Sequence, residues 1–390
     1  MNGPFDPPAA CPRSDVDLWA PDTLRDPYPA YRELRDLGAV VWLDRYGLFA
    51  LPRFDIVRSV LTNWKQFSSA SGVGMQALAN EHAPTSIIKS DPPVHDDFRR
   101  PIAAQLSNSS LAKDTAAIER VAERLVDVIL SRVNFDGVTD LARPFSLDVV
   151  CDLAGIPEHC RAQLPLLAEQ AFNLFGPDNN LLALAPPALG RMRAEILELA
   201  NVNGYEPGGR AAALVTMNRA EQVLLYTWPG IDTTVNGIGS ALYLFAVHPD
   251  QWDLVRQDQS LVPSAFAEAL RMHTPVHYFT RITTEPVEID GVAIPQQSRL
   301  LVMYGSANRD ERRYQDPDRF DVTRNPTDQL AFGRGIHLCV GANLAKLEGH
   351  VLLAAMARRV ERFRLAGAPD WLVNNTLHGL TSLPLTVDVM

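Results

Sequence analysis

The most reactive arrangement in the sequence is the run Phe332-Gly333-Arg334-Gly335-Ile336-His337-Leu338-Cys339-Val340-Gly341. Its glycines admit backbone conformations barred to other residues and let the chain come close to a flat partner. Beyond it, Leu344, Leu347 and Val351 recur at helical spacing. Cys339 therefore sits just ahead of a helix N-terminus, where free N–H groups and the macrodipole favour a thiolate. A thiolate so placed can ligate a metal centre. A buried structural cysteine is the bland alternative, and it requires neither the flanking phenylalanine nor a basic residue two positions before the sulfur.

Three further segments carry chemistry. Pro229-Gly230-Ile231-Asp232-Thr233-Thr234 interrupts an apolar helical stretch, Leu224 to Phe245. An acid and an alcohol in such a stretch can deliver protons to a dry pocket, or can merely satisfy a helix kink with their own side chains. Pro229 removes one backbone hydrogen bond, so a kink is expected there in either case. Glu268 and Arg271 lie one helical turn apart, followed by Asp316-Pro317-Asp318-Arg319-Phe320. Upstream stands Asp91-Pro92-Pro93-Val94-His95-Asp96-Asp97-Phe98-Arg99.

Together, and in this order, these segments resemble the cytochrome P450 family, whose signature Phe-x-x-Gly-x-(His or Arg)-x-Cys-x-Gly is met at every fixed position. The resemblance runs from about Leu24 to Val389. It implies haem b (iron protoporphyrin IX) as cofactor, with Cys339 as the iron's proximal ligand, whose electron density favours O–O cleavage. Phe332 and Gly333 would pack beside the haem, and His95, Arg99, Arg281 and His337 would hold its propionates. Asp232 and Thr233 would be the acid–alcohol pair that supplies protons to dioxygen at the haem. Glu268, Arg271 and Arg319 would form a structural network behind it.

Shorter stretches are similar to bacterial members that oxidise small aromatic compounds, typically removing O-methyl groups from methoxyarenes. Among them are Phe172-Asn173-Leu174-Phe175-Gly176-Pro177, Asp232-Thr233-Thr234-Val235-Asn236-Gly237 and Asn374-Asn375-Thr376-Leu377-His378-Gly379. The substrate contacts implied are Ser86, Ile88, Phe172, Phe175, Leu224, Leu225, Trp228, Val276 and Phe279. Ala83, Leu224 and Leu225 stand where benzoate-oxidising members place basic or hydroxyl groups. An unpaired carboxylate among leucines would cost several kcal/mol, so a neutral substrate is expected unless Lys89 turns inward. The implied reaction is insertion of one oxygen atom from O2, with electrons from a separate ferredoxin and ferredoxin reductase. A peroxide-driven hydroxylase would tend to lack the Asp232–Thr233 pair, and a non-enzymatic haem sensor would need neither that pair nor an aromatic pocket. Arg312, Arg313, Arg334 and Lys346, near the cysteine loop in sequence, are candidates for a basic docking face.

The elements that must position these residues read as mainly helical. Ile118, Val121, Leu125 and Val128 mark a helix within Leu111–Val133, and Val351 to Phe363 reads as a continuous helix. Strand signals are short: a hairpin of Val40–Leu43 and Leu48–Leu51, a second small sheet from Val287–Ile294 with Arg299–Met303, and a terminal strand Ser382–Val389. The fold class expected is mainly α with small β-sheets (α+β), one domain over 1–390, with 1–20 as an extended N-terminal tail. At 390 residues and 46% hydrophobic content the chain can bury a large core,. A net charge of -10 argues against nucleic-acid binding,. The four cysteines show neither a disulfide framework nor metal-clip spacing,. No signal-peptide pattern or membrane-length apolar run is visible, so a cytoplasmic protein without a membrane partner is expected.

Overall fold

The structure, a computed structural model, describes residues 7–76, 80, 86–217 and 222–390, and for residues 225 and 226 the backbone alone. A helical body carries the main apolar core, and a smaller sheet-bearing region packs on one side of it. At the centre of the body runs α5 (Gln222–Val247), with Pro229 inside it. Its apolar residues cover most of its circumference, so it is surrounded on all sides. Against it pack α3 (Arg143–Ala154), α4 (Leu164–Phe172), α6 (Val262–Met272) and α7 (Ala342–Ala357). Two outer helices matter below: α1 (Val94–Gln105) and α2 (Thr115–Leu130).

In α2 the buried stripe is Ile118, Ala122, Leu125, Val126 and Ile129. Val128 faces solvent instead, because its position falls about 60° round the helix beyond the stripe's edge at Leu125,. The helix expected over Val351–Phe363 ends at Ala357, and Phe363 belongs to a strand, Val360–Leu365, paired antiparallel with Pro384–Val389. The strand's two β-branched and aromatic anchors, Val360 and Phe363, are buried, and a register shift near Val360 allows both to face inward,.

The main sheet has six strands in the order β1-β2-β3-β6-β5-β4. Here β1 is Arg13–Ser14, β2 Val41–Leu43, β3 Leu48–Leu51, β4 Phe67–Ser68, β5 Tyr278–Thr283 and β6 Arg299–Met303. The expected hairpin is β2–β3. The expected second sheet is split: Val287–Ile289 pairs with Val292–Ile294 alone, while β6 joins the main sheet between β3 and β5. Residues 11–20 are a packed part of the fold rather than a tail. β1 lies parallel to β2, Cys11, Leu18 and Trp19 are buried, and the Trp19 indole donates to the Asn375 carbonyl at 2.8 Å. Among the described residues no helix is long and apolar enough to cross a membrane.

Candidate active site

A cavity of about 220 Å³ lies between α5 and the loop that ends in Cys339. Two turns of backbone set the loop's path: Gly333 and Gly335 have φ of +65° and +70°, in the left-handed region,. A Cβ on Gly335 would lie 2.3 Å from the Leu61 carbonyl oxygen, so the loop can press on the Phe54–Thr62 helix only with glycine there. The Cys339 N–H closes the loop on the Phe332 carbonyl at 2.8 Å. Cys339 is open to the cavity and otherwise packed deep in protein. Burial pushes its thiol up, while the N–H groups of Gly341 and Ala342 and the cations Arg99 and Lys346 pull the other way,. The helix-start donors expected for a thiolate are therefore in place. The other cysteines lie off the cavity wall.

One edge of the cavity is cationic. Arg99, from α1, and Arg281, from β5, line it with His337. His95 is 1% exposed, its Nδ1 is 2.9 Å from the Asp96 carboxylate, and its Nε2 is buried with no partner. The His337 Nε2 is likewise buried and unpartnered. Burial pushes His337 down to about 3, helped by Arg281, His95 and Arg99 and opposed by the Ile87 carbonyl. Burying two unfilled donors beside two guanidiniums is costly unless an anion meets them. The donor set matches the paired carboxylates of a haem, and the cysteine stands ready on the same wall. These residues fit that cofactor: Cys339 could hold the iron, Phe332 and Gly333 line the wall beside it, and Arg99, Arg281, His95 and His337 could hold the carboxylates.

The opposite wall is aromatic. Phe175 and Trp228 are parallel at 6.0 Å, Phe279 meets Phe175 edge to face at 5.0 Å, and Phe172 meets Trp228 at 5.2 Å. Ile88 and Val276 complete the expected contacts on this cavity, together with Val73 and Ile87, which sequence reasoning missed. Two expected contacts are not on the wall. Ser86 spends its carbonyl on the turn to Lys89 and Ser90, leaving Ile87 and Ile88 at the tip to face inward. Leu224 packs partly buried against the helical core. Ala83 and the Leu225 side chain lie outside the described residues. The Lys89 ammonium donates to the Asn80 carbonyl and is not on the wall.

Thr233 lines the cavity, and its hydroxyl donates to the Pro229 carbonyl at 2.7 Å. Thr233 thus does satisfy the helix locally. Asp232 does not: it is 4% exposed, its Oδ2 has no partner, and burial holds its carboxyl well above the usual range. A second acid of this kind escaped the sequence reading. Glu348, on α7, is fully buried and lines the cavity; burial holds its carboxyl well above the usual range, against a weaker opposing pull from the Ser146 hydroxyl. A carboxylate four residues from both Leu344 and Leu352, in the buried stripe of an apolar helix, was the available signal,.

Behind the site, Arg271 grips the fully buried Glu268 through two hydrogen bonds of 2.7 and 2.9 Å. The second guanidinium on Glu268 is Arg324, at 3.0 Å, and not Arg319. Arg319 is exposed and contributes only its carbonyl. Arg324 reaches back because its fork also takes the carbonyls of Gln315 and Asp316, closing the loop on itself. Two of the four candidate docking cations are neutralised locally: Arg312 by Asp310 and Glu311, Arg313 by Asp328.

A model of the family described as Cytochrome P450 matches residues 205–387. The chain is 37% identical to cytochrome P450 CYP199A2 of Rhodopseudomonas palustris over 97% of this chain and 95% of that one. It is 31% identical to a beta-dihydromenaquinone-9 omega-hydroxylase of Mycobacterium tuberculosis, over 96% of this chain and 78% of that one. The solved structure of cytochrome P450 CYP109Q5 from Chondromyces apiculatus matches with a TM-score of 0.82 at 29% identity, covering 96% and 99% of the two chains. Fold and relatives define a haem protein, and a thiol stands on the wall of its central cavity. The chain belongs to the bacterial cytochrome P450 family, whose members are monooxygenases carrying haem b.

Proposed function

We propose that this enzyme inserts one oxygen atom of O2 into a small, neutral aromatic substrate, by hydroxylation or by O-demethylation of a methoxyarene. The observation that carries this reading is the wall of Phe172, Phe175, Trp228 and Phe279 facing the cavity that Cys339 opens onto. Flat apolar faces favour an aromatic ring through burial and edge or face contacts. The Trp228 N–H is already spent on the Ala168 carbonyl, at 2.9 Å, so this wall offers the substrate no strong donor. Among the described residues, the cations lining the cavity are Arg99 and Arg281, with His337 beside them as a neutral hydrogen-bonding group. In this reading they serve the cofactor's carboxylates, together with His95, and none is left for a substrate anion.

Haem, when bound, supplies the activation of dioxygen by electrons received from a separate ferredoxin and its reductase. The chain's own residues do the rest. Cys339 would hold the iron, and the N–H groups of Gly341 and Ala342 stabilise negative charge on its sulfur,. The aromatic wall orients the substrate and excludes water. Thr233 presents its oxygen to the cavity, and Asp232, whose carboxyl burial holds well above the usual range, is the acid that supplies the proton,.

Titrating purified protein with 4-methylanisole and with 4-methoxybenzoate, and following the substrate-induced spectral shift, tests the substrate class. The neutral compound is expected to bind more tightly by at least about tenfold, since an unpaired charge in a desolvated site costs on the order of 2–5 kcal/mol. Tighter binding of the benzoate, lost in Lys89→Ala, would overturn the neutral-substrate reading.

A further inference from the structure

Asp232 stands apart from its neighbours on α5. Pro229, Gly230, Thr233 and Thr234 line the cavity, whereas Asp232 does not. Here α5 is gripped by two other helices. Trp228 donates to the Ala168 carbonyl of α4, and Ser146 of α3 donates its hydroxyl to the Ile231 carbonyl at 3.1 Å. These grips bring one charged residue from each helix towards Asp232: Glu169, next to Ala168, and Arg143, one turn before Ser146. The two form an ion pair with N···O of 3.9 Å, and their side chains keep 23% and 34% exposure, respectively. Burial raises the Asp232 carboxyl most, Glu169 adds to that shift and Arg143 opposes it. The other buried acid lying against this part of α5, Glu348, is on the cavity wall.

We propose that Glu169, held by Arg143, is the relay through which Asp232 recovers its proton from solvent. The proposal rests on the reading of Asp232 as proton donor. An acid that releases a proton in every cycle must be refilled, and Asp232 has almost no surface of its own and an Oδ2 without any partner. Glu169 has both qualities the refill needs: it reaches water, and it stands beside Ala168, where α4 grips α5 at Trp228, one helical turn from Asp232. In the step, the O–H bond of protonated Glu169 breaks and an O–H bond forms on the Asp232 carboxylate, directly or through one bridging water. Glu169 then takes a proton from bulk water, and no electrons move. Burial holds the Glu169 carboxyl above its usual range while Arg143 pulls it down, so the residue exchanges protons nearer neutrality than a free carboxyl does,. Glu169 acts through Asp232 and is thus a positioning and relay residue.

Two readouts on the haem-loaded enzyme test this. In infrared difference spectra, the protonated-carboxyl band that disappears in Asp232→Asn reports the Asp232 titration. Its midpoint should fall in Glu169→Gln, which removes a like charge, and rise in Arg143→Met, which removes an opposite one. In turnover, Glu169→Gln should lose about tenfold in rate with an enlarged solvent isotope effect. Its substrate-induced spectral shift should be unchanged, and Glu169→Asp should restore most of the rate. In an Asp232→Asn background, Glu169→Gln should add no further loss. A Glu169→Gln enzyme with wild-type rate, isotope effect and band midpoint, beside a slow Asp232→Asn, would overturn the relay and leave Asp232 as donor. A wild-type rate in Asp232→Asn would remove the donor and the relay together.

Discussion

The rings of His95 and His337 meet edge to face with centroids 4.8 Å apart, and each keeps a buried Nε2 without a partner. One ring comes from the start of α1 and the other from the cysteine loop, so the pair ties two distant segments to one edge of the cavity. A hydrogen bond to a charged group contributes about 1.5–3 kcal/mol. Replacing either histidine by leucine should therefore speed transfer of haem to an apo-globin acceptor by about tenfold or more. Unchanged haem loss in both variants would remove the pair from the cofactor site.

Asp232→Asn should slow turnover on the order of a hundredfold, the lower range for loss of a general acid. Thr233→Ala should instead divert electrons into hydrogen peroxide, with NADH oxidation continuing and product falling. The difference follows from their surroundings: Thr233 lines the cavity, and Asp232 is buried behind it. Product formed per NADH separates the two outcomes, and normal coupling with normal rate in both variants would leave only a structural kink.

The cysteine loop was legible because chemistry and backbone make the same demand: Gly335 is required by its φ and by Leu61 at once. The aromatic wall was legible for a similar reason, since large apolar groups in the central helix and its neighbours must be buried somewhere. Less legible was the end of α7. Apolar spacing continues unbroken from Val351 to Phe363, with no glycine or proline at Ala357-Arg358-Arg359 to announce the change to a strand,. The partner of Glu268 was hidden because two arginines, Arg319 and Arg324, follow at short range. Only the fold of the loop decides which guanidinium turns inward. Ser86 was misplaced by a turn whose tip, not its base, faces the cavity.

That loop gives a stability test. Arg324→Met should cost about 2–4 kcal/mol, because it leaves a buried carboxylate half-paired and frees the carbonyls of Gln315 and Asp316,. Arg319→Met should stay within about 0.5 kcal/mol of wild type, as for an exposed side chain. Urea unfolding of both variants decides between them, and the reverse order would restore Arg319 to the network.

Three buried histidines set a pH limit on stability. The rings of His378, His273 and Trp371 lie nearly parallel in one cluster, with His378 5.6 Å from His273 and 4.9 Å from Trp371, and His277 lies 4.7 Å from His378. Burial pushes His378 down to about 3, with Arg309 adding to the shift, and lowers His273 and His277 well below the usual value. Below a pH of about 6.5 the unfolded chain binds protons that the folded chain excludes, so stability falls with acid by up to about 1.4 kcal/mol per pH unit for each histidine. His378→Asn should flatten the loss of urea stability between a pH of about 7 and a pH of about 5. An equal or steeper loss in that variant would contradict the assignment.

The most direct measurement is the carbon monoxide difference spectrum of the reduced protein, compared between wild type and Cys339→Ser. With Cys339 as the ligand to the haem iron, wild type shows the thiolate-type band. Cys339→Ser loses it while still binding some haem, and Cys160→Ser, altered away from the cavity, keeps it. A normal thiolate-type band in Cys339→Ser would contradict the assignment of the site.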